Sequence, residues 1–192
     1  MQPMDLLMSW LNDEHKAGAK HSQHAILSTI GLDAHPHGRV VAIREIQSDG
    51  LIFFTQKGTR KVEEIFTHSN VTLTFWFERF ARQVIIEGSA EFLPETENER
   101  YWNTYPTWAQ IRFYSYAATS GQPIFGKQIL EDKKREIESR YKDQALPVSE
   151  YYCGVNVRPK QFIFYSYRLD ELSDVLEFQK NGDTWVKQCL SP

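Results

Sequence analysis

A chain of 192 residues with a net charge of -3 is long enough for one domain with a sizeable core, and it lacks the basic balance of a nucleic-acid binder. It holds no apolar run of the ~18 residues that a membrane helix needs, and its opening, Met1 to Leu11, lacks the basic start and small-residue cleavage site of a signal peptide. Its two cysteines, Cys153 and Cys189, form no CxxC and fit ordinary thiols in a reducing, cytoplasmic setting.

In chain order, residues 4–18 read as an amphipathic helix with Leu7, Trp10 and Leu11 on one side. His24 to Ile30 is a strand. The Pro and Gly of residues 33–38 make a turn, in which His35 and His37 are exposed. Arg39 to Gln47 is a second strand, Ser48-Asp49-Gly50 a hairpin turn and Leu51 to Thr55 a third strand. Gly58-Thr59 opens a helix carrying Val62, Ile65 and Phe66, with Thr59 as its N-cap. Val71 to Phe77 and Gln83 to Leu93 are further strands. In the latter, Val84, Ile86, Gly88 and Ala90 share one face.

Residues 95–104 and 107–117 read as helices. Ile124 to Lys142 is a long charged helix with a narrow apolar stripe of Leu130, Ile137 and Tyr141. The pairs Glu131–Arg135 and Glu136–Arg140 have supporting i,i+4 spacing. Gln161 to Tyr167, Val175 to Gln179 and Thr184 to Cys189 are the last strands. Strands joined by hairpins, with helices flanking them, predict an α+β chain that is mainly β and built on an antiparallel barrel. We expect a single domain over residues 1–192. Within it, 1–20 is an N-terminal helix, 95–142 a helical insertion and 161–192 the C-terminal strands.

The dinucleotide fingerprint, the Walker A loop and the nucleophile elbow are all missing from the sequence, and no His or Cys spacing predicts a metal. The informative segment is Gly58-Thr59-Arg60-Lys61. Cations in the first turn of a helix oppose the helix dipole by roughly 0.3–1 kcal/mol each. They make sense where an anion binds the free N–H groups and the side chains together. Read alone, the segment fits either such a site or two solvated charges. Arg39 is a second candidate anion ligand and Arg44 a third. Strict alternation puts these two on opposite faces unless a bulge intervenes. Gln83 offers a donor and an acceptor suited to the edge of a heterocycle.

Four stretches in fixed order and spacing carry a resemblance: Arg39-Val-Val-Ala-Ile-Arg44, Gly50-Leu-Ile-Phe-Phe-Thr55, Gly58-Thr-Arg-Lys61 and Arg82-Gln-Val84. With Trp185 and the ending Leu190-Ser191-Pro192, the chain resembles the pyridoxamine 5'-phosphate oxidase family over residues 5–192. The resemblance implies a split β-barrel and a homodimer with FMN held between subunits. Arg39, Arg60 and Lys61 match the positions at the FMN phosphate and ribityl chain. Phe54 and Thr55 match flavin contacts, and Gln83 the residue at the pyrimidine edge. Arg44 matches a position, usually lysine, near both flavin and substrate. Gln122, in Ser120-Gly121-Gln122, matches a cofactor-binding glutamine, with Pro123 replacing the serine that follows it in the family. Tyr165 stands where a flavin-contacting tryptophan is usual.

The substrate half departs from the family. Its phosphate-binding lysine, tyrosine, arginine and serine correspond to Arg44, Tyr101, Tyr105 and Ala109. The family's Arg-Leu-His-Asp-Arg stretch corresponds to Glu171-Leu172-Ser173-Asp174-Val175, or, with a gap, draws on Arg168-Leu169-Asp170. Arg44, Arg168 and Ser173 are the candidates for catalysis; Arg44, Tyr101 and Tyr105 are those for substrate binding. The expected activity is hydride transfer from a small CH–NH2 or CH–OH substrate to the flavin, with reoxidation by dioxygen. The alternatives are an oxidase of another substrate, like the phenazine-biosynthesis relatives, and a non-catalytic FMN- or haem-binding barrel.

Overall fold

The computed structural model describes residues 2–142 and 144–192. The elements are α1 (Pro3–Lys16), β1 (His24–Ile30), β2 (Pro36–Gln47), β3 (Gly50–Gln56), α2 (Arg60–Thr67), β4 (Asn70–Phe77), β5 (Arg82–Phe92), α3 (Glu95–Trp102), α4 (Thr107–Tyr116), α5 (Lys127–Arg140), β6 (Tyr152–Ser166), β7 (Asp174–Asn181) and β8 (Thr184–Leu190). The strands lie in the order β3-β2-β1-β4-β5-β6-β7-β8, and β3 pairs again with β6. Six strands therefore close into an antiparallel barrel, and β7–β8 extends from it as a hairpin.

Closure depends on β6. Tyr152 to Val157 lies along β3, Gln161 to Ser166 along β7, and β5 runs beside both parts. Only the second part is predicted from the sequence. The first, Tyr152 to Lys160, contains a proline and a glycine, which read as breakers. Here Pro159 sits at a bulge, where the register shifts between Glu87 and Gly88, a position that tolerates a missing N–H.

The barrel interior follows from alternation. Leu27, Leu73, Phe75, Val84, Ile86, Val155, Phe162 and Phe164 point inward and are fully or almost fully buried. Leu7, Trp10 and Leu11 of α1 join this core, with Trp10 edge-on to Phe164 at 5.1 Å. A second, smaller cluster of Trp102, Ile111, Ile137, Leu146 and Tyr152 packs the helical segment against the start of β6.

Gly88 makes the bulge possible. A Cβ there would run into the carbonyl oxygen of Arg158 and lie 2.9 Å from its carbon, so the two strands would have to separate. Gly88→Ala should destabilise the fold by about 1–3 kcal/mol, as overpacking does. For a chain of this size that is a fall in Tm of roughly 3–10 °C. Thermal unfolding followed by circular dichroism tests this, and an unchanged Tm would contradict the packing argument.

Several local expectations need correction. β2 begins at Pro36 rather than Arg39, because Pro36 to Gly38 pair with Ser28 to Ile30. Thr59 occupies the N-cap position, but its hydroxyl donates to the Gln56 carbonyl at 2.8 Å instead of capping α2. On α5, Glu136–Arg140 forms as its spacing suggests, at 2.6 Å. Glu131 pairs with Lys127 instead, and Arg135 turns to Asp132.

Candidate cofactor site

The cations of the Gly58–Lys61 segment sit where β3 hands over to α2. Gly58, at φ +77°, makes the turn that a side chain would strain. Lys61 folds back so that its Nζ donates to Thr55 Oγ1 at 3.1 Å and lies 3.5 Å from Thr59 Oγ1. It makes no ion pair among the described residues. Burial pushes its amine below the usual lysine range, and the neighbouring Arg39 guanidinium pushes the same way.

Arg39 reaches this place from β2. It shares the inward face of that strand with the buried Val41 and Ile43 and ends at the barrel mouth. Its Nη1 donates to the Leu27 carbonyl at 3.3 Å and to the Thr29 hydroxyl. Its Nη2 donates to Glu64 Oε2 at 3.1 Å. Glu64, on the second turn of α2, is only 5% exposed. It also accepts from the Thr29 hydroxyl at 2.5 Å, lies 2.5 Å from His37 Nδ1, and is 3.7 Å from Arg60 Nε. Burial alone would raise the Glu64 carboxyl. The hydrogen bonds from Thr29, His37 and Arg39 outweigh that and hold it below the usual range. The exposed-turn reading of His37 is therefore corrected: its ring is folded onto Glu64 and mostly covered, whereas His35 is exposed.

Arg44 lies apart from Arg39. Ile43 pairs with Phe53 and Glu45 with Ile52, which leaves Arg44 as the extra residue of a bulge. Its guanidinium donates to Thr104 Oγ1 at 3.3 Å and lies 5.3 Å from the centre of the Tyr105 ring. Around it is an aromatic cluster. Phe54 is stacked on Tyr152 at 5.0 Å, tilted against Tyr101 at 4.9 Å and edge-on to Tyr105 at 6.0 Å. Tyr101 donates its hydroxyl to Glu45 Oε2 at 2.7 Å. Gln47 donates to the other oxygen of Glu45 at 2.9 Å. These two hydrogen bonds, that of Gln47 foremost, keep the Glu45 carboxyl below its usual range. A cleft of about 270 Å³ is lined by Thr55, Ala109 and Arg112, so β3 and α4 share a wall here.

Gln83 and Tyr165 are cross-strand neighbours on the outer face of the barrel, with Trp76 on the far side of Gln83. Tyr167 is tilted on Tyr165 at 4.2 Å and edge-on to Trp76 at 5.6 Å, which gathers three aromatic rings on the strands beside Gln83. Gln122 is exposed in the segment between α4 and α5. Arg168 is held in the β6–β7 connection, where its Nη2 donates to Asp174 Oδ2 at 3.0 Å and its backbone N–H to Ser173 Oγ at 3.2 Å.

The single chain thus gathers Arg39, Arg60 and Lys61 into one group, Arg44, Phe54, Tyr101 and Tyr105 into a second, and Gln83 with Tyr165 into a third. Thr29, His37, Glu45 and Glu64 are additions that sequence reasoning missed. Only Glu64 had a readable signal, four residues after Arg60 on the same helix face.

The closed six-stranded barrel with an appended hairpin and flanking helices is the split β-barrel of flavoproteins. A family model described as Pyridoxamine 5'-phosphate oxidase matches residues 11–141, and the chain belongs to that family. The pyridoxine/pyridoxamine 5'-phosphate oxidase of Alteromonas mediterranea is 30% identical over 191 residues, 99% of this chain and 89% of that one. Its counterpart in a Cyanothece species is 29% identical over 190 residues, 99% of this chain and 88% of the other. Among solved structures, PhzG from Burkholderia lata in complex with tetrahydrophenazine-1-carboxylic acid superposes with a TM-score of 0.88 at 24% identity, covering 100% of this chain and 93% of that one. A pyridoxamine 5'-phosphate oxidase-related, FMN-binding protein from Nostoc punctiforme gives 0.81 at 14% identity, covering 100% and 99%. No helix among the described residues is long and apolar enough to cross a membrane.

Proposed function

We propose that this chain binds FMN, with Arg39, Arg60 and Lys61 at the phosphate, and acts as an FMN-dependent oxidoreductase on a small planar substrate. The observation that carries the reading is Lys61. It is a partly buried ammonium beside the Arg39 guanidinium, with two hydroxyls and no carboxylate as direct partners. Holding such a group charged costs free energy unless an anion joins it. The donor set of ammonium, guanidinium and hydroxyls suits a phosphate. The exposed ring of Trp76, with Tyr165 and Tyr167 near it, offers an aromatic contact for a flat ring, and Gln83 suits its polar edge.

The flavin would supply the redox chemistry, taking up a hydride from the donor carbon and passing the electrons to dioxygen. The residues of the chain bind and orient. Arg44, with Tyr105 beside it, offers a cation and an aromatic wall for an anionic planar substrate. The absorbance spectrum of the purified protein, before and after adding FMN, tests the reading. We expect bound flavin bands that bleach with dithionite and return in air. A protein that stays colourless after FMN addition and gel filtration would overturn it.

The substrate need not be pyridoxamine phosphate. The aromatic cluster and the arginine suit a polycyclic carboxylate as well, the kind of molecule named in the PhzG complex. The free thiols, Cys153 buried and Cys189 exposed, suit a reducing cytoplasm.

We also propose a homodimer in which the second copy completes the cofactor site. Supporting it are apolar side chains that one copy leaves in water: Val40 at 64% and Trp76 at 54% exposure on the barrel, and Leu169 and Leu172 almost fully exposed beyond β6. Sedimentation should find a dimer at micromolar protein. A monomer that still holds FMN would contradict it.

A further inference from the structure

Resting on the FMN reading, we infer that Glu64 is a positioning residue of the phosphate site: through direct hydrogen bonds it fixes the Arg39 guanidinium, with Thr29 as the bridge between them. The carboxylate would otherwise be out of place. An anion beside a phosphate repels it, and Glu64 also offsets one of three cations that a dianion would use. Electrostatics alone therefore says that removing Glu64 should tighten FMN binding.

The geometry says the reverse. Arg39 projects from an inward-facing position of β2, where its long side chain needs fixed partners to present its donors at the barrel mouth. Glu64 supplies the main one, at 3.1 Å from Nη2. The Thr29 hydroxyl is held from both sides. It accepts from Arg39 Nη1 and donates to Glu64 Oε2, so its single proton is committed and its direction set. His37 Nδ1, 2.5 Å from Oε1, steadies the second carboxylate oxygen. Every member of this network except Arg60 is at least three-quarters covered, and Arg60 is an outlying partner at 3.7 Å on a mostly exposed side chain. Lys61 takes no part in it. The site thus divides its work between Lys61, which is left for the ligand, and Arg39, which is oriented by an internal carboxylate. A bound phosphate then meets a guanidinium already in place and does not have to order it.

The experiment is titration of FMN and of riboflavin, by quenching of flavin fluorescence, into the full-length parent, Glu64→Ala, Glu64→Gln and Thr29→Val. The parent should prefer FMN. Glu64→Ala should weaken FMN by about 10-fold or more, with riboflavin changed less than about 3-fold, the scale of one lost charged hydrogen bond. Glu64→Gln, which keeps an acceptor for Arg39, should recover most of the loss. Thr29→Val, of nearly equal shape, should weaken FMN by a few-fold and spare riboflavin; it also keeps the test open if Glu64→Ala does not fold. FMN binding unchanged or tighter in both Glu64→Ala and Thr29→Val would overturn the inference and leave the phosphate site standing. Equal losses for both flavins would overturn it in favour of a purely structural role. A parent that holds riboflavin as tightly as FMN would overturn the phosphate reading itself, and this inference with it.

Discussion

Replacing Lys61 with alanine is expected to weaken FMN by about 10- to 100-fold, the scale of ~1.5–3 kcal/mol for a hydrogen bond to a charged group. Riboflavin, which lacks the phosphate, should lose less than roughly 3-fold. Lys61 has the largest expected effect of the three cations because its amine is partly desolvated and has only hydroxyls as direct partners. Arg60 is mostly exposed and screened by water, so Arg60→Ala should cost less. The pH dependence has a definite sign. Burial lowers the Lys61 pKa in the free protein, and a bound phosphate would raise it again. FMN affinity should then fall as the pH climbs through the alkaline range, starting below the value for an ordinary lysine, and this fall should vanish in Lys61→Ala. Flavin fluorescence titrations across pH measure both effects. Equal losses for FMN and riboflavin would put the phosphate elsewhere.

The second large effect concerns substrate. We expect pyridoxamine phosphate to be turned over weakly compared with family members that keep the full phosphate site. By the family resemblance, Tyr105 and Ala109 correspond to an arginine and a serine that would bind that phosphate, and the structure adds an obstacle. The hydroxyl of Tyr101 is already donated to the ionised Glu45, so a phosphate bound at Tyr101 would have to take that hydrogen bond from the carboxylate and lie near its charge. Glu45→Gln should tighten pyridoxamine phosphate by about 10-fold by removing that like charge, and Tyr105→Arg added to it should gain about as much again, each on the scale of one charged hydrogen bond. The rate need not follow. Orientation of the donor carbon would fall to the β6–β7 connection, where Arg168 is engaged with Asp174, and a small misplacement costs about a hundredfold. Pyridoxal phosphate formation under air with saturating FMN is the assay. Turnover matching an intact family enzyme would sink this expectation and point to Arg168 as the missing cation.

Strands whose alternation was clean, such as β1, β4 and β5, were legible from the sequence almost to the residue. Val84, Ile86, Gly88 and Ala90 do share the inner face of β5. The first part of β6 was not legible, because local propensity reads Gly154 and Pro159 as breaks. Tertiary pairing with β3 and β5 overrides that reading. The site divides in the same way. Arg60 and Lys61 could be singled out because cations are unusual at a helix start, and Arg39 because it opens a strand of Val and Ile. The gathering of Arg39 and Arg60 on Glu64, with Lys61 beside them, depends on β1, β2 and α2 meeting in space. His37 shows the limit most clearly: beside a proline and a glycine it looks like a turn residue, and only the pairing of β1 with β2 turns it toward Glu64.

The double use of β6 also bears on how the protein is made. β3 finds its second neighbour about a hundred residues later, and the loop entropy of that pairing must be overcome before the contact rewards it. On a ribosome, β1 to β5 emerge first with two unpaired edges, β3 at one end and β5 at the other. Such edges invite pairing with other chains. The arrival of Tyr152 to Ser166 seals both together. This topology leads us to expect slow barrel closure, and aggregation of chains truncated before residue 152.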